Sequence, residues 1–279
     1  MTQKLLEGSL LSVIRSYYPS LTKSEQKVAD TVLEDIESVL YCSVTDLADK
    51  AGVGETTALR FCRKLGFKGY QEFKLTLAKT LSNDSKEEVP EAGIQHTIAK
   101  NTKAVIDETV KMVDEDMLDS CIQSIEQARY VHFYGVGTSG LTALDAKNRL
   151  LRIGRQSDAI IDPHIQAMDA ATLGKGDVVV GISLSGSTKD TLDSLEIAKE
   201  NGATVIAITY YARSPITKIA DYVLLSGGKE SPLEGGSLAA KISQLFVIDL
   251  LCTGLALMDK ERSVQMKEKT ARSVINKIY

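Results

Sequence analysis

Histidine and cysteine are scarce in this chain of 279 residues, with three His and four Cys. Cys42, Cys62, Cys121 and Cys252 lie far apart, and His96, His132 and His164 do not join them at metal-ligand spacing. Neither a metal centre nor another cofactor is therefore expected, and isolated thiols of this kind suit a reducing compartment. Long uninterrupted apolar runs are also missing. The opening Met-Thr-Gln-Lys-Leu-Leu-Glu is too short in apolar residues for a signal peptide, and the late run Leu245 to Met258 is broken by Asp249. A cytoplasmic protein without a membrane span is expected. Nor is there an excess of positive charge: the formal net charge of −4 argues against general attraction to nucleic acid and leaves a local basic patch as the only means of contact. What remains, 43% apolar and 25% charged residues, is the balance of a globular chain long enough for two modest domains.

The first 81 residues contain such a patch. Thr22-Lys-Ser-Glu25 has capping-box spacing, and Val28, Ala29, Val32, Leu33 and Ile36 recur at helical period, which predicts a helix across 22–40. Ser43 to Gly66 then reads as a short helix, a turn at Gly52 and a second helix, the grammar of a helix-turn-helix. Leu47, Ala48, Val53, Ala58, Phe61 and Leu65 would be buried. Glu55, Thr56, Thr57, Arg60 and Lys64 would then lie on or near the outward face, short polar groups first for base edges and basic groups later for phosphates. From Arg60 to Lys79 six basic residues (Arg60, Arg63, Lys64, Lys68, Lys74, Lys79) face one acid, Glu72, a local net of +5 that adds Lys68 to the candidate DNA contacts.

Residues 82–94 have linker composition, and the next stretch is helical by period to about Leu118. The expected organisation is an all-α helix-turn-helix domain over 1–81, a linker and connecting helix over 82–117, and a second domain over 118–279. From Arg129 onward, strand and helix patterns alternate. Strands are predicted at 130–134, 156–161, 178–182, 204–209 and 222–225, with helices between them and a long helix over 238–258, so the fold class is α/β with a doubly wound parallel sheet. A ligand belongs beyond the carboxyl ends of such strands.

Two loops sit there. Gly135-Val-Gly-Thr-Ser-Gly140 follows the first strand and matches G-x-G-x-x-G, with Asp162 near where a ribose-binding acid would stand, so a nicotinamide enzyme is a rival reading. The third strand ends in Ser183-Leu-Ser-Gly-Ser-Thr188 before another helix. Hydroxyls of Thr138, Ser139, Ser183, Ser185, Ser187 and Thr188, with Gly137 and two helix N-termini, make a site for a phosphomonoester, which a dinucleotide does not require. Capping alone accounts for one such loop, but not as well for two at adjacent strand ends. Neither loop carries Lys or Arg before Lys189, so neutral donors and helix dipoles must hold the anion.

Leu21 to Asp30, Ala51-Gly-Val53 and Leu59-Arg-Phe-Cys-Arg-Lys-Leu-Gly-Phe-Lys-Gly69, followed by Gly137-Thr-Ser139, Lys175 to Thr188 and Ala203 to Thr209, resemble the RpiR/MurR type of bacterial transcriptional regulator over nearly the full length. The first group looks like its helix-turn-helix domain and the second like a SIS (sugar isomerase) domain. The resemblance implies a regulator whose operator affinity is changed by a phosphosugar, with Ser139, Ser183, Ser185 and Thr188 at the positions that hold phosphate. Gly54 departs from the serine usual before the recognition helix, and Glu234 and Lys241 stand in a region that often carries arginines.

Two functions follow from these readings. The preferred one is a DNA-binding regulator with a phosphosugar sensor. It would be at least a homodimer, or a homotetramer, because a palindromic operator needs two recognition helices. The alternative is a sugar-phosphate isomerase with a fused regulatory domain, which would need a positioned base; Glu234 and His164 are the candidates.

Overall fold

The computed structural model describes residues 10–84, 93–233 and 235–277; Glu234, a candidate base above, lies outside the described residues. The chain divides into two compact units, Met1–Thr97 with Lys229–Ser237, and Ile98–Gly228 with Leu238–Tyr279.

The first unit is all helical: α1 (Leu10–Tyr17), α2 (Lys23–Glu34), α3 (Ile36–Leu40), α4 (Val44–Lys50), α5 (Glu55–Lys64) and α6 (Tyr70–Asp84). The Thr22 hydroxyl and the Glu25 carboxylate close a capping box at the start of α2. The single helix expected over 22–40 is broken at Asp35. Its backbone leaves helical geometry (φ −146°, ψ 81°) while its carboxylate accepts the N–H of Ser38 at 2.9 Å and starts α3; a short acidic side chain competes in this way with helix continuation. Ser43 and Asp46 form a second capping box on α4, and Gly52 turns the chain towards α5 at φ +62°, a conformation that a Cβ disfavours. Phe61, Phe67 and Phe73 meet edge to face, with centroids 5.8 and 5.6 Å apart, at the centre of a core completed by Leu47, Ala58 and Leu77. Lys229 stands 3.6 Å above the Tyr41 ring of this same unit.

The second unit contains α7 (Ile94–Met112) from Ile98 on, α8 (Glu115–Gln127), β1 (Val131–Tyr134), α9 (Thr138–Arg152), β2 (Asp158–Ile160), α10 (Pro163–Ala170) and β3 (Val178–Ile182). It continues with α11 (Lys189–Glu200), β4 (Thr204–Thr209), α12 (Pro215–Ile219), β5 (Tyr222–Leu225), α13 (Leu238–Met258) and α14 (Lys260–Arg272). All strand pairs are parallel, in the order β2-β1-β3-β4-β5. Strand alternation sorts the cores. Val131, Phe133, Val178, Val180 and Ile206 pack with α8, α9 and α13, while Tyr134, Val179, Val205 and Ala207 pack with α10, α11 and α12. Gly181 is what lets α11 lie close, since a Cβ there would meet Leu195 at 2.4 Å.

The α13 helix is long and apolar enough to cross a membrane by length and composition. It buries Val247, Ile248, Leu251 and Leu255 against the sheet, as a core helix does. At the exit of β5, the N–H groups of Gly227 and Gly228 donate to Thr109 Oγ1 and Glu108 Oε2 of α7, both at 3.0 Å.

Candidate functional site

The strand order reverses direction between β1 and β3, which are neighbours with Tyr134 opposite Gly181. The loops after these two strands therefore leave the sheet side by side, at the point where open α/β sheets hold ligands. The Gly135 to Gly140 loop is close-packed: a Cβ on Gly135 would meet the Ser139 backbone at 2.8 Å, and one on Gly140 the Gly135 carbonyl oxygen at 3.0 Å. Gly137 turns the chain into α9 at φ +58°. It offers no side-chain cap, so the first N–H groups of α9 keep their donor capacity. Thr138 is exposed and Ser139 buried.

The second loop is folded on itself. Ser183 Oγ and Thr188 Oγ1 are 2.9 Å apart; Ser185 Oγ accepts the N–H of Ser187 at 3.3 Å, and the Ser187 hydroxyl donates to the Ser185 carbonyl at 3.1 Å. Thr188 precedes α11 without a side-chain cap bond. By contrast α2, α4, α8, α10 and α14 each begin with a side chain accepting a backbone N–H. The two uncapped N-termini direct partial positive charge to the hydroxyl loops. Lys189 adds little there, being exposed and ion-paired with Asp193.

Two supports come from tertiary packing. Gly186, at φ +59°, packs so tightly that a Cβ would stand 2.1 Å from Ser214 Oγ, and its carbonyl accepts the N–H of Ile216 at 2.9 Å. Gln244 of α13 accepts from Thr142 Oγ1 at 3.1 Å and reaches Ser139 Oγ at 3.4 Å. A residue 105 positions away leaves no local pattern that could reveal it. His164 is exposed on α10, and Asp162 caps that helix by accepting the N–H of Ile165 at 3.0 Å, so the acid of the dinucleotide reading has a structural role. Among the described residues, no group of three or more His, Cys, Asp or Glu could hold a metal ion.

In the first unit the outward face of α5 is narrower than its sequence suggested. Thr56, Arg60, Lys64 and Lys68 are exposed. Thr57 is 8% exposed, one turn from Phe61 on the buried side, with its hydroxyl accepting from Arg60 Nη2 at 3.4 Å. Glu55 is half-buried and accepts from the Thr45 hydroxyl of α4. Lys64 is turned back onto α2, donating to the Ser20 carbonyl at 2.6 Å and to Glu25 at 3.0 Å. Burial pushes the Glu25 carboxyl upward, but the Thr22 N–H and the Lys64 ammonium outweigh it and leave the group below its ordinary value. Lys74 is buried too, so the +5 counted along 60–79 overstates the surface charge. Arg63, exposed about one turn from Arg60 and two turns from Thr56, joins the outward strip.

Family comparisons agree with this division. Residues 8–84 match the helix-turn-helix domain of the rpiR family, and residues 124–254 match the SIS domain. An HTH-type transcriptional regulator of Haemophilus influenzae is 42% identical, covering 96% of this chain and 97% of its own. The chain belongs to the rpiR family of transcriptional regulators. Within that family, HexR of Pseudomonas aeruginosa is 34% identical over 89% of this chain and 90% of its own length. The solved structure of Vibrio vulnificus NanR, complexed with ManNAc-6P, superposes with a TM-score of 0.90 at 30% identity, covering 97% of this chain and all of that one. The protein is thus a DNA-binding transcriptional regulator with a SIS domain.

Proposed function

We propose that the protein regulates amino-sugar metabolism by reporting an N-acetylhexosamine 6-phosphate to operator DNA, without turning the sugar over. The observation that carries the reading is the pair of uncapped helix N-termini, α9 and α11, at adjacent strand ends among clustered hydroxyls. Gly137, Thr138, Ser139, Ser183, Ser185, Ser187 and Thr188 would supply donors to the three terminal phosphate oxygens, and Gln244 would fix the Ser139 rotamer. A phosphomonoester suits this site because its charge meets helix dipoles and neutral donors, giving reversible binding. The amino-sugar class rests on the ManNAc-6P held by the NanR relative.

On the DNA side, Thr56, Arg60, Arg63 and Lys68 form the contact strip, and the free N-terminus of α5 behind Gly54 suits a backbone phosphate. Glu55, Thr57 and Lys64 hold the helix in its domain. A homodimer, with two such helices on one palindrome, is the smallest assembly that reads an operator symmetrically. All four cysteines are free and buried, which accords with residence in the reducing cytoplasm.

The test separates the two sites. Ser183→Ala with Ser185→Ala is expected to abolish the effect of ManNAc-6P on binding to operator fragments selected by the wild-type protein, leaving binding itself intact. Arg60→Ala with Arg63→Ala is expected to do the reverse. A normal effector response in the serine variant would refute the phosphate site.

A further inference from the structure

The C-terminal halves of α9 and α13 and the start of α14 border an open cavity of about 490 Å³, a volume within the range of small-molecule sites. Arg152 on its wall lies roughly 20 Å along α9 from Thr138, at 1.5 Å per residue, so the cavity is separate from the hydroxyl loops. Its floor is apolar: Ile153, Ala256, Leu257 and Val264 line it, and Leu257 and Val264 are 67% and 57% exposed. Its rim is cationic. Arg149 is engaged, with Nε 2.5 Å from Asp145 and Nη1 2.5 Å from Asp249.

Arg152, Lys260 and Lys267 form no ion pair among the described residues, although they line the same space. The acids of α14 are engaged elsewhere: Glu268 pairs with Arg272, and Glu261 accepts from Gln265. Cys252, also on the wall, has its thiol pushed up to about 12 by burial and stays protonated, so the site is suited to binding and not to covalent capture.

We infer that this cavity is a second effector site, for a small amphiphilic anion: an apolar chain or ring ending in a carboxylate or phosphate. Charge complementarity selects this occupant over a neutral hydrophobe, because three cations without an ion pair among the described residues line an apolar floor in a protein whose net charge is −4. The apolar body would cover Leu257 and Val264, and the acid would lie between Arg152, Lys260 and Lys267.

Calorimetric titration of the full-length protein with decanoate and decyl phosphate, both below their micellar concentrations, tests this. Saturable binding is expected for both, the tighter identifying the head group, with decanol and inorganic phosphate each at least tenfold weaker. Arg152→Ala with Lys267→Ala, both exposed on helices, should weaken the amphiphiles at least tenfold, and Arg152→Lys with Lys267→Arg should restore them. Ser183→Ala with Ser185→Ala should leave them unchanged. No saturable binding by the wild type, equal binding by the alanine pair, or loss in the serine pair would overturn the inference. Val264→Glu should abolish binding with the sedimenting mass unchanged. A fall in mass would instead mark the groove as a contact between copies of this chain, and the inference would fail.

Discussion

Lys74 shows how far a residue's formal charge can depart from its surface role. It is 5% exposed in the core of the first unit, and burial lowers its pKa to about 8 from 10.5. Between those values the unfolded chain holds the proton and the folded one does not, so stability should rise as pH increases from about 8 towards 10. Below that window the cost of the buried charge is fully present, on the order of 3 kcal/mol. Lys74→Met should therefore be at least as stable as the wild type at pH 7 and lose the rise, which urea unfolding at pH 7 and 9.5 would measure; a wild type that loses stability across this window contradicts the assignment. The Cys42 carbonyl that Lys74 bonds at 3.0 Å keeps the Tyr70 hydroxyl at 2.9 Å in the variant. Gly186 is the corresponding case in the sugar loop. At φ +59° and against Ser214, Gly186→Ala should cost about 1–3 kcal/mol and remove the effector response while operator binding persists. Unaltered response in that variant would show that the loop geometry is not needed.

At the scale of elements, caps separate structure from function. The α5 helix begins at Gly54 with no side-chain bond, although its backbone there (φ −81°, ψ 154°) is that of an ordinary capping residue and a Cβ would be in open space apart from Thr56 Oγ1 at 3.8 Å. Gly54→Ser should raise the unfolding free energy of the first unit by a few tenths of a kcal/mol, read as a shift in the urea midpoint at constant slope. A downward shift would show that a side chain at this position does not cap α5. The strands were the most legible elements: Val178–Ile182, Thr204–Thr209 and Tyr222–Leu225 coincide with their predicted ranges because buried parallel strands are continuous apolar runs with clear polar ends. The α14 helix was unread because its faces are largely polar, α8 was read only to about Leu118 although Cys121, Ile122 and Ile125 continue its apolar stripe, and the break at Asp35 was missed because the apolar period runs through it. Within the site, hydroxyls and glycines announce themselves locally, whereas the burial of Thr57, the pairing of the exposed Lys64 with Glu25 and the reach of Gln244 depend on tertiary neighbours.

For the whole molecule, an acidic chain that binds DNA must do so through few cations. In a dimer, Arg60→Ala with Arg63→Ala removes four phosphate contacts if both arginines touch backbone, and the slope of log affinity against log salt should become shallower by about 3.6, against about 1.8 for a single chain. The same titration thus reports both contact and assembly. The two sites must also obey reciprocity. If the phosphosugar changes operator affinity by some factor, typically about 5- to 150-fold, bound operator must change phosphosugar affinity by that same factor in the same direction. Calorimetry of ManNAc-6P with the free protein and with the operator-saturated protein gives one ratio, and operator titrations with and without saturating ManNAc-6P give the other. Equal ratios different from one establish that the hydroxyl loops and α5 bias a single equilibrium. A ratio of one in both would leave the SIS domain binding a sugar phosphate with no consequence for DNA, and the sensor reading would be abandoned.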